Sequence, residues 1–305
     1  MERYHSLNAY VREQFGEKVY KLALDGGMTC PNRDGTLGKG GCIFCSAGGS
    51  GEFAQDRCGS ISQQIELAKS RVQNKTSARK YIAYFQSYTN TYESVDYLRE
   101  IFTDAISHED VAALSIATRP DCLPQDVLDL LSELNKIKPV WVELGLQTIH
   151  PKTADYIRRG YDLSVFDEAM RQLRQRDLYT VVHIILGLPG ESMEDMLQTV
   201  RYIADESGRV GVKLQLLHIL EGTDLAKDYR AGKFPALDMD GYFRILFACI
   251  EELPEEMVIH RLTGDGPKKI LIAPEWSGDK KRVLNEMRRQ MDILDIRQGK
   301  AWRKR

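Results

Sequence analysis

The sequence predicts an α/β fold of successive parallel βαβ units, and three observations carry that expectation. Six apolar, β-branched runs recur along the chain. Stretches of helical periodicity separate them. Several of those stretches open on helix-start signals. Strands alternating with helices make parallel crossovers, each right-handed. Such units form either an open doubly wound sheet or a partial barrel, and in both cases function gathers at the carboxyl ends of the strands.

Residues 1–18 are polar and form an N-terminal extension ahead of the first run, VYKLAL at 19–24. A loop of about 35 residues follows, with ten glycines between Gly26 and Gly59. Loops that long are usually functional or disordered, and so many glycines suit backbone wrapped closely around a ligand. Helical periodicity over 60–73 leads to KYIAYF at 80–85 and then to a helix over 94–107. VAALSIA (111–117) precedes a helix over 124–137, where Pro124 suits the first turn. VWVELGL (140–146) precedes 164–176, and TVVHIIL (180–186) precedes 192–207. Ser164 with Asp167, and Ser192 with Asp195, match the S-x-x-[DE] capping pattern. VKLQLLHI (212–219) is the sixth run, and a helix over 240–252 follows. From Asp238 the rhythm stops, leaving a candidate strand at 257–262 and a basic helix near 279–291. The expected division is 1–18, a core of 19–237, and a basic C-terminal extension of 238–305.

Hydrophobic content of 43% and charged content of 28% are ordinary for a globular protein. The opening residues lack the apolar segment of a signal peptide. The longest uncharged apolar stretch, 178–190, has 13 residues and is too short to span a bilayer. A cytoplasmic location is therefore expected, where the six cysteines are reduced thiols and metal or catalytic roles outrank disulfides. The net charge of −2 hides an asymmetry. Residues 268–305 carry 12 Lys or Arg against 5 Asp or Glu. Such an end suits a polyanion partner such as RNA, although a solvated helix and tail would look the same.

Cys30, Cys42 and Cys45 stand in the first long loop with the spacing C-x11-C-x2-C. Three thiolates suit a site with one open metal position. Cys58 could supply a fourth ligand and close a structural zinc site. The CxxC pair could instead be redox-active, although that motif usually opens a helix and here sits in Gly-rich loop. A [4Fe–4S] cluster on three thiolates leaves one iron free for a ligand. Cys122 and Cys249 fall in helix-start and helix contexts, where a free cysteine usually acts as a small buried hydrophobe.

The segment TCPNRDGTLGKGGCIFC after the first strand resembles the radical S-adenosylmethionine superfamily. More closely it resembles the YhcC-like branch, related to the catalytic subunit of Elongator and to oxygen-independent coproporphyrinogen oxidase. The resemblance covers roughly residues 15 to 275. It implies a partial (β/α)6 TIM-type barrel with a small C-terminal α+β extension. It implies that Cys30, Cys42 and Cys45 hold a [4Fe–4S] cluster whose unique iron chelates S-adenosylmethionine. The cofactor is then cleaved reductively to a 5′-deoxyadenosyl radical, with the electron from a donor such as a flavodoxin or ferredoxin. Carried over residue by residue, Gln86 falls in the strand-two motif that contacts the methionine amino group. There the family usually has Gly-rich sequence and a Glu. Gln147 of LGLQT faces the ribose. Arg159, or its neighbour Arg158, suits the methionine carboxylate. His183 of HIILGLPGE holds a ribose position, and Gly187 and Gly190 let backbone approach the adenine. Thr118, in the polar strand end Thr118-Arg119-Pro120-Asp121, lines the cavity or merely starts the next helix. Gln147 and His183 could equally be hydrogen-bonded barrel-interior residues, and Gly187 to Gly190 only a strand-to-helix turn.

The core implies a reaction type and not a substrate. Members of this branch resemble enzymes acting on the C5 side chain of the tRNA wobble uridine, in an aminomethyl or carboxymethylaminomethyl-type pathway. The basic segment agrees, with Lys280, Lys281, Arg282, Arg288 and Arg289 as candidate phosphate contacts. Two alternatives stay open. One is a radical enzyme acting on a small molecule such as a tetrapyrrole. The other is a zinc-containing RNA-binding protein.

Overall fold

The computed structural model describes residues 2–49, 51, 54, 57–206, 208–264 and 266–303. Helix α1 (Leu7–Phe15) opens the chain, capped by Ser6 and ended by Gly16 at φ 72°. The strands are β1 (Val19–Leu24), β2 (Lys80–Phe85), β3 (Val111–Thr118), β4 (Val140–Gln147), β5 (Tyr179–Leu186) and β6 (Val210–Leu216). Between them run α2 (Ile61–Val72), α3 (Val95–Ser107), α4 (Gln125–Asn135), α5 (Pro151–Tyr156), α6 (Leu163–Gln175) and α7 (Met193–Ala204). Then come β7 (Ile219–Leu220), α8 (Asp224–Arg230), α9 (Met239–Glu252), β8 (Val258–Arg261), β9 (Leu271–Ala273) and α10 (Lys280–Ile293).

Seven strands form one sheet in the order β1-β2-β3-β4-β5-β6-β8, and every neighbouring pair is parallel. The sheet curls into a half-barrel with helices outside, as expected. The strand expected near 257–262 does not stand apart from the core. As β8 it pairs with β6 and becomes the seventh strand. The strands β7 and β9 make a separate antiparallel pair.

One of the three helix-start signals acts as read: Ser192 and Asp195 form a full capping box on α7. Pro124, expected in the first turn, stands just before α4 as its extended N-cap. Ser164 does not cap. Helix α6 starts one residue earlier with Asp162 at its N-cap, and Asp167 accepts a hydrogen bond from the Tyr202 hydroxyl instead. A further box, Ser60 with Gln63, starts α2; it fits the wider S/T-x-x-E/Q pattern but not the S-x-x-[DE] form.

Side-chain alternation divides the strands between two environments. Val140, Val142, Leu144 and Leu146 of β4 face the helices and join the main core. Trp141, Glu143, Gly145 and Gln147 face the barrel interior. That interior is layered. At the bottom Val19, Ile82, Ala113, Trp141, Tyr179, Val181 and Val258 pack on Tyr10 and Val11 of α1. The Tyr10 ring stacks on Tyr179 at 5.3 Å and tilts against Trp141 at 5.9 Å. His5 O accepts from Ile259 N at 2.8 Å, which ties the start of the chain to β8. Helix α1 thus plugs the amino-terminal end of the barrel, leaving the carboxyl ends of the strands for the site.

Removing the plug's anchor tests this arrangement. Tyr10→Ala should lower the unfolding free energy by about 3 kcal/mol, read as a fall in the urea midpoint. A midpoint within error of wild type would mean that α1 only lies against the barrel.

Candidate functional site

One cavity of about 1300 Å³ runs through the barrel, and Cys30, Cys42 and Cys45 all line it. The loop that presents them is held by its own backbone. Cys30 O accepts from Arg33 N and Asp34 N, Cys42 O accepts from Cys45 N, and Asn32 O accepts from Gly41 N at 2.7 Å. It is also clamped to other elements. Ile157 O accepts from Ile43 N, and Ile43 O from Leu225 N. Asn32 Nδ2 donates to Arg158 O at 2.8 Å and lies 3.5 Å from Cys42 Sγ. Hydrogen bonding from Cys45, against the opposing effect of burial and with help from Asn32 and two arginines, holds the Cys42 thiol down at about 7. Burial pushes Cys122 up to about 12 and raises Cys249 as well. The chain therefore separates a ligand-competent thiol from two inert ones.

The three sulfurs are not packed as a single tetrahedral ion would require. Zinc at about 2.3 Å from each thiolate would bring them to about 3.8 Å of one another. Among the described residues, no trio containing these thiols has its sulfurs all within 4.8 Å. Cys58 is absent from the described cavity lining. Three thiolates without a described fourth ligand suit a cluster that leaves one iron open.

At the mouth, β4 ends on a feature the sequence did not announce. Gln147 adopts φ 65°, in the left-handed region, and the β4–β5 register skips a residue between Gly145 and Gln147. A Cβ on Gly145 would lie 2.8 Å from the Gln147 amide nitrogen, so the glycine leaves room for that side chain. Gln147 Oε1 is buried without a hydrogen-bond partner among the described residues. Strain and an orphan buried acceptor at one position mark a residue shaped for a ligand donor such as a hydroxyl.

Arg159 lines the cavity, whereas Arg158 sits at φ 55° with its guanidinium paired to Asp224 at 2.7 Å. Arg159 is 3% exposed. It donates from Nη1 to Leu146 O and Thr148 O and from Nε to Tyr161 O. Its Nη2 has no partner among the described residues. Arg119 grips Asp121 through Nε and Nη2, and both guanidinium groups lie within 5 Å of the Tyr161 ring centroid. Thr118 and Gln86 also line the cavity; Thr118 shares a 2.5 Å hydroxyl contact with Thr91. Gly187 (φ 91°) and Gly190 (φ 86°) make the turn from β5 towards α7 and fall outside the described lining.

Between mouth and plug lies a layer of charge. Glu143 is 1% exposed and accepts four donors: Lys21 at 2.5 Å, Ser115 at 2.6 Å, His183 Nε2 at 2.7 Å, and Lys213. Burial works against its charge, but the two lysines and His183 more than offset this and hold it well below the carboxylate range. Burial, with Lys213 beside it, drives His183 down to about 4, so its ring is neutral near pH 7. Sequence reasoning missed this layer. Its signal was a lone Glu in VWVELGL and a lone Lys in VKLQLL, each a charge inside a run otherwise fit for burial.

Of the candidate RNA contacts, only Lys280 lines the cavity. Lys281, Arg282, Arg288 and Arg289 are exposed on α10, and Arg289 is engaged by Glu286 at 2.6 Å. Residues 304 and 305 of the basic end lie outside the described residues.

The comparisons agree with this geometry. The Radical SAM superfamily model matches residues 30–203, and the Radical_SAM C-terminal domain model matches 210–292. The uncharacterized protein YtqA of Bacillus subtilis is 46% identical over 99% of this chain and 94% of its own length. YhcC of Escherichia coli K12 is 39% identical over 94% and 92%. A tRNA uridine(34) acetyltransferase of Methanocaldococcus jannaschii is 26% identical over 57% of this chain and 31% of its own. The solved structure of Methanocaldococcus infernus Elp3 superposes with a TM-score of 0.67 at 17% identity, covering 92% of this chain and 64% of that one. No helix among the described residues is long and apolar enough to cross a membrane.

The charged layer gives a stability test. Glu143→Gln strips two buried ammonium groups of their counter-charge and should cost about 3–5 kcal/mol in chemical unfolding. The double variant Glu143→Gln with Lys213→Met should recover part of that loss. No recovery would show that the two side chains are not energetically coupled.

Proposed function

We propose that this chain, which belongs to the radical SAM superfamily, modifies a tRNA at the C5 side chain of the wobble uridine. The observation that carries the reading is the charge of the cavity. Among the described residues, eleven lysines and arginines line it against one carboxylate, Glu143, in a chain of net charge −2. Six are interior: Lys21, Arg33, Arg119, Arg159, Lys213 and Arg261. Of the other five, Lys268 and Lys280 come from the segment after β8, and Lys18, Arg71 and Lys75 flank the amino-terminal ends of β1 and β2, on the side that α1 covers. Arg71, Lys75, Lys268 and Lys280 are exposed. A polyanion is the partner so many cations attract. A wobble base already stands in a single-stranded loop, so presenting it to a barrel mouth costs little unstacking. The name of the archaeal acetyltransferase points to the same base.

The family's cofactors are a [4Fe–4S] cluster and S-adenosylmethionine, and the residues present fit them. When bound, they supply a 5′-deoxyadenosyl radical for hydrogen abstraction. Cys30, Cys42 and Cys45 would hold the cluster, and Asn32 would donate to the Cys42 sulfur. Gln147 would offer its orphan oxygen to a ribose hydroxyl. Arg159, fixed by three backbone carbonyls, would turn its remaining nitrogen to the methionine carboxylate. Thr118, Gln86 and His183 would complete the pocket, whereas Gly187 and Gly190, outside its lining, serve the turn from β5 to α7. The α1 plug and the apolar floor keep water from entering below. A one-electron donor such as a flavodoxin or ferredoxin is required from outside.

Two tests follow. Cys30→Ala, Cys42→Ala and Cys45→Ala should each lose cluster iron and cofactor cleavage, while Cys122→Ala and Cys249→Ala keep both; full iron content in any of the first three would refute the ligand set. Mass spectrometry of nucleosides from a deletion strain should show one modified uridine lost and its precursor accumulating. An unchanged profile would move the substrate to a small molecule. In binding assays, Lys268→Gln with Lys280→Gln should lower the slope of log K against log salt by about 1–2, more than Arg288→Gln with Arg289→Gln does.

A further inference from the structure

We infer that Lys21 and Lys213 form an oxyanion subsite on the floor of the cavity, which takes a carboxylate or phosphate group of the substrate. The charge count is the first argument. Glu143 accepts four donors, from Lys21, Ser115, His183 and Lys213, so its lone pairs are fully used. It supplies one negative charge to two ammonium groups. No second carboxylate lines the cavity among the described residues. Structural ion pairs in interiors are normally balanced, because an uncompensated buried charge is costly.

Donor capacity is the second argument. An ammonium carries three N–H groups. Lys213 donates to Glu143 and to the Tyr84 hydroxyl at 3.2 Å, and Lys21 to Glu143 and to Ser115 at 3.2 Å. Each keeps one N–H beyond these among the described residues. Burial, opposed by Glu143 and reinforced by Lys21, drives the Lys213 ammonium down to about 7. Its one carboxylate does not fully secure its charge, and an incoming anion would.

Access is the third. The inward positions above this layer on β1, β3 and β4 are Ala23, Ala117 and Gly145, all lining the cavity. Three such small residues leave open the way from the mouth to the lysines. Below, Tyr10, Trp141 and Tyr179 close it. Lys213 is 3% exposed, so its ligand is a group at the tip of an extended substituent.

The inference deepens the tRNA reading, but its first test does not depend on it. Full-length reconstituted protein, without tRNA, is titrated calorimetrically with sodium acetate and with sodium phosphate at fixed ionic strength. Wild type should bind one of them saturably. Lys213→Met should weaken that binding at least tenfold, and so should Lys21→Met, while the exposed Lys152→Met leaves it unchanged. Circular dichroism and retained iron check that each variant is folded. No saturable binding by wild type, or equal affinity in folded Lys213→Met or Lys21→Met, overturns the subsite. The second arm identifies the source. Acetate competing with tRNA in the modification assay indicates a carboxylate on the modified base. Phosphate competing indicates an RNA phosphate. Competition by neither overturns the substrate role. If tRNA proves not to be the substrate, the titration arm still stands and only the proposed function falls.

Discussion

One carboxylate constrains the curvature of this molecule. Glu143 stands on β4 and receives donors from β1, β3, β5 and β6. β1 and β6 lie five strand spacings apart in the sheet order. At about 4.8 Å per spacing, a flat sheet would hold them roughly 24 Å apart. Both ammonium groups nevertheless reach the same side chain. Only a sheet curled around its own interior allows that, so the half-barrel and the buried charge layer require each other. The layer also separates two environments: apolar packing on α1 below, and polar strand ends above.

The site follows from that stacking. The plug uses the amino-terminal ends of the strands, so chemistry is confined to the other end. There the cysteine loop is clamped to α5 and α8 through Ile43, and Asn32 ties it to the backbone at Arg158 and Arg159. The same turn that orients Asn32 presents Arg159 and not Arg158 to the cavity. Gln147 carries backbone strain and an unsatisfied oxygen together, on the strand whose Glu143 organises the interior. The strained Gln147 and the buried Glu143 thus share one rigid element, and a rigid element suits chemistry that depends on position.

Much of the fold was legible because local chemistry wrote it. β1 and β2 fall on 19–24 and 80–85, since β-branched runs bounded by polar turns have few other ways to be buried. The cysteine spacing pointed to the metal loop, and Cys42 does differ chemically from Cys122. Other parts were not legible. α1 is a nine-residue helix of mixed polar and apolar sequence in which only Tyr10 and Val11 are buried, so its role as a plug depends on the ring stack with Tyr179. β8 looked like part of an extension because pairing with β6 is a non-local event. The basic helix α10 drew attention by composition, yet the exposed cations that line the cavity are drawn largely from elsewhere.

By itself, the sequence determined the strand-and-helix alternation and the thiol set at C-x11-C-x2-C, while the kind of cofactor followed from the family resemblance of that loop. These depend on side-chain periodicity and ligand identity, which are local properties. Only the tertiary structure decided which of two adjacent arginines enters the cavity, that Gln147 is strained and unpaired, and that Glu143, Lys21 and Lys213 meet. Those outcomes depend on sheet curvature and register, which bring together residues as far apart as positions 21 and 213 in the chain.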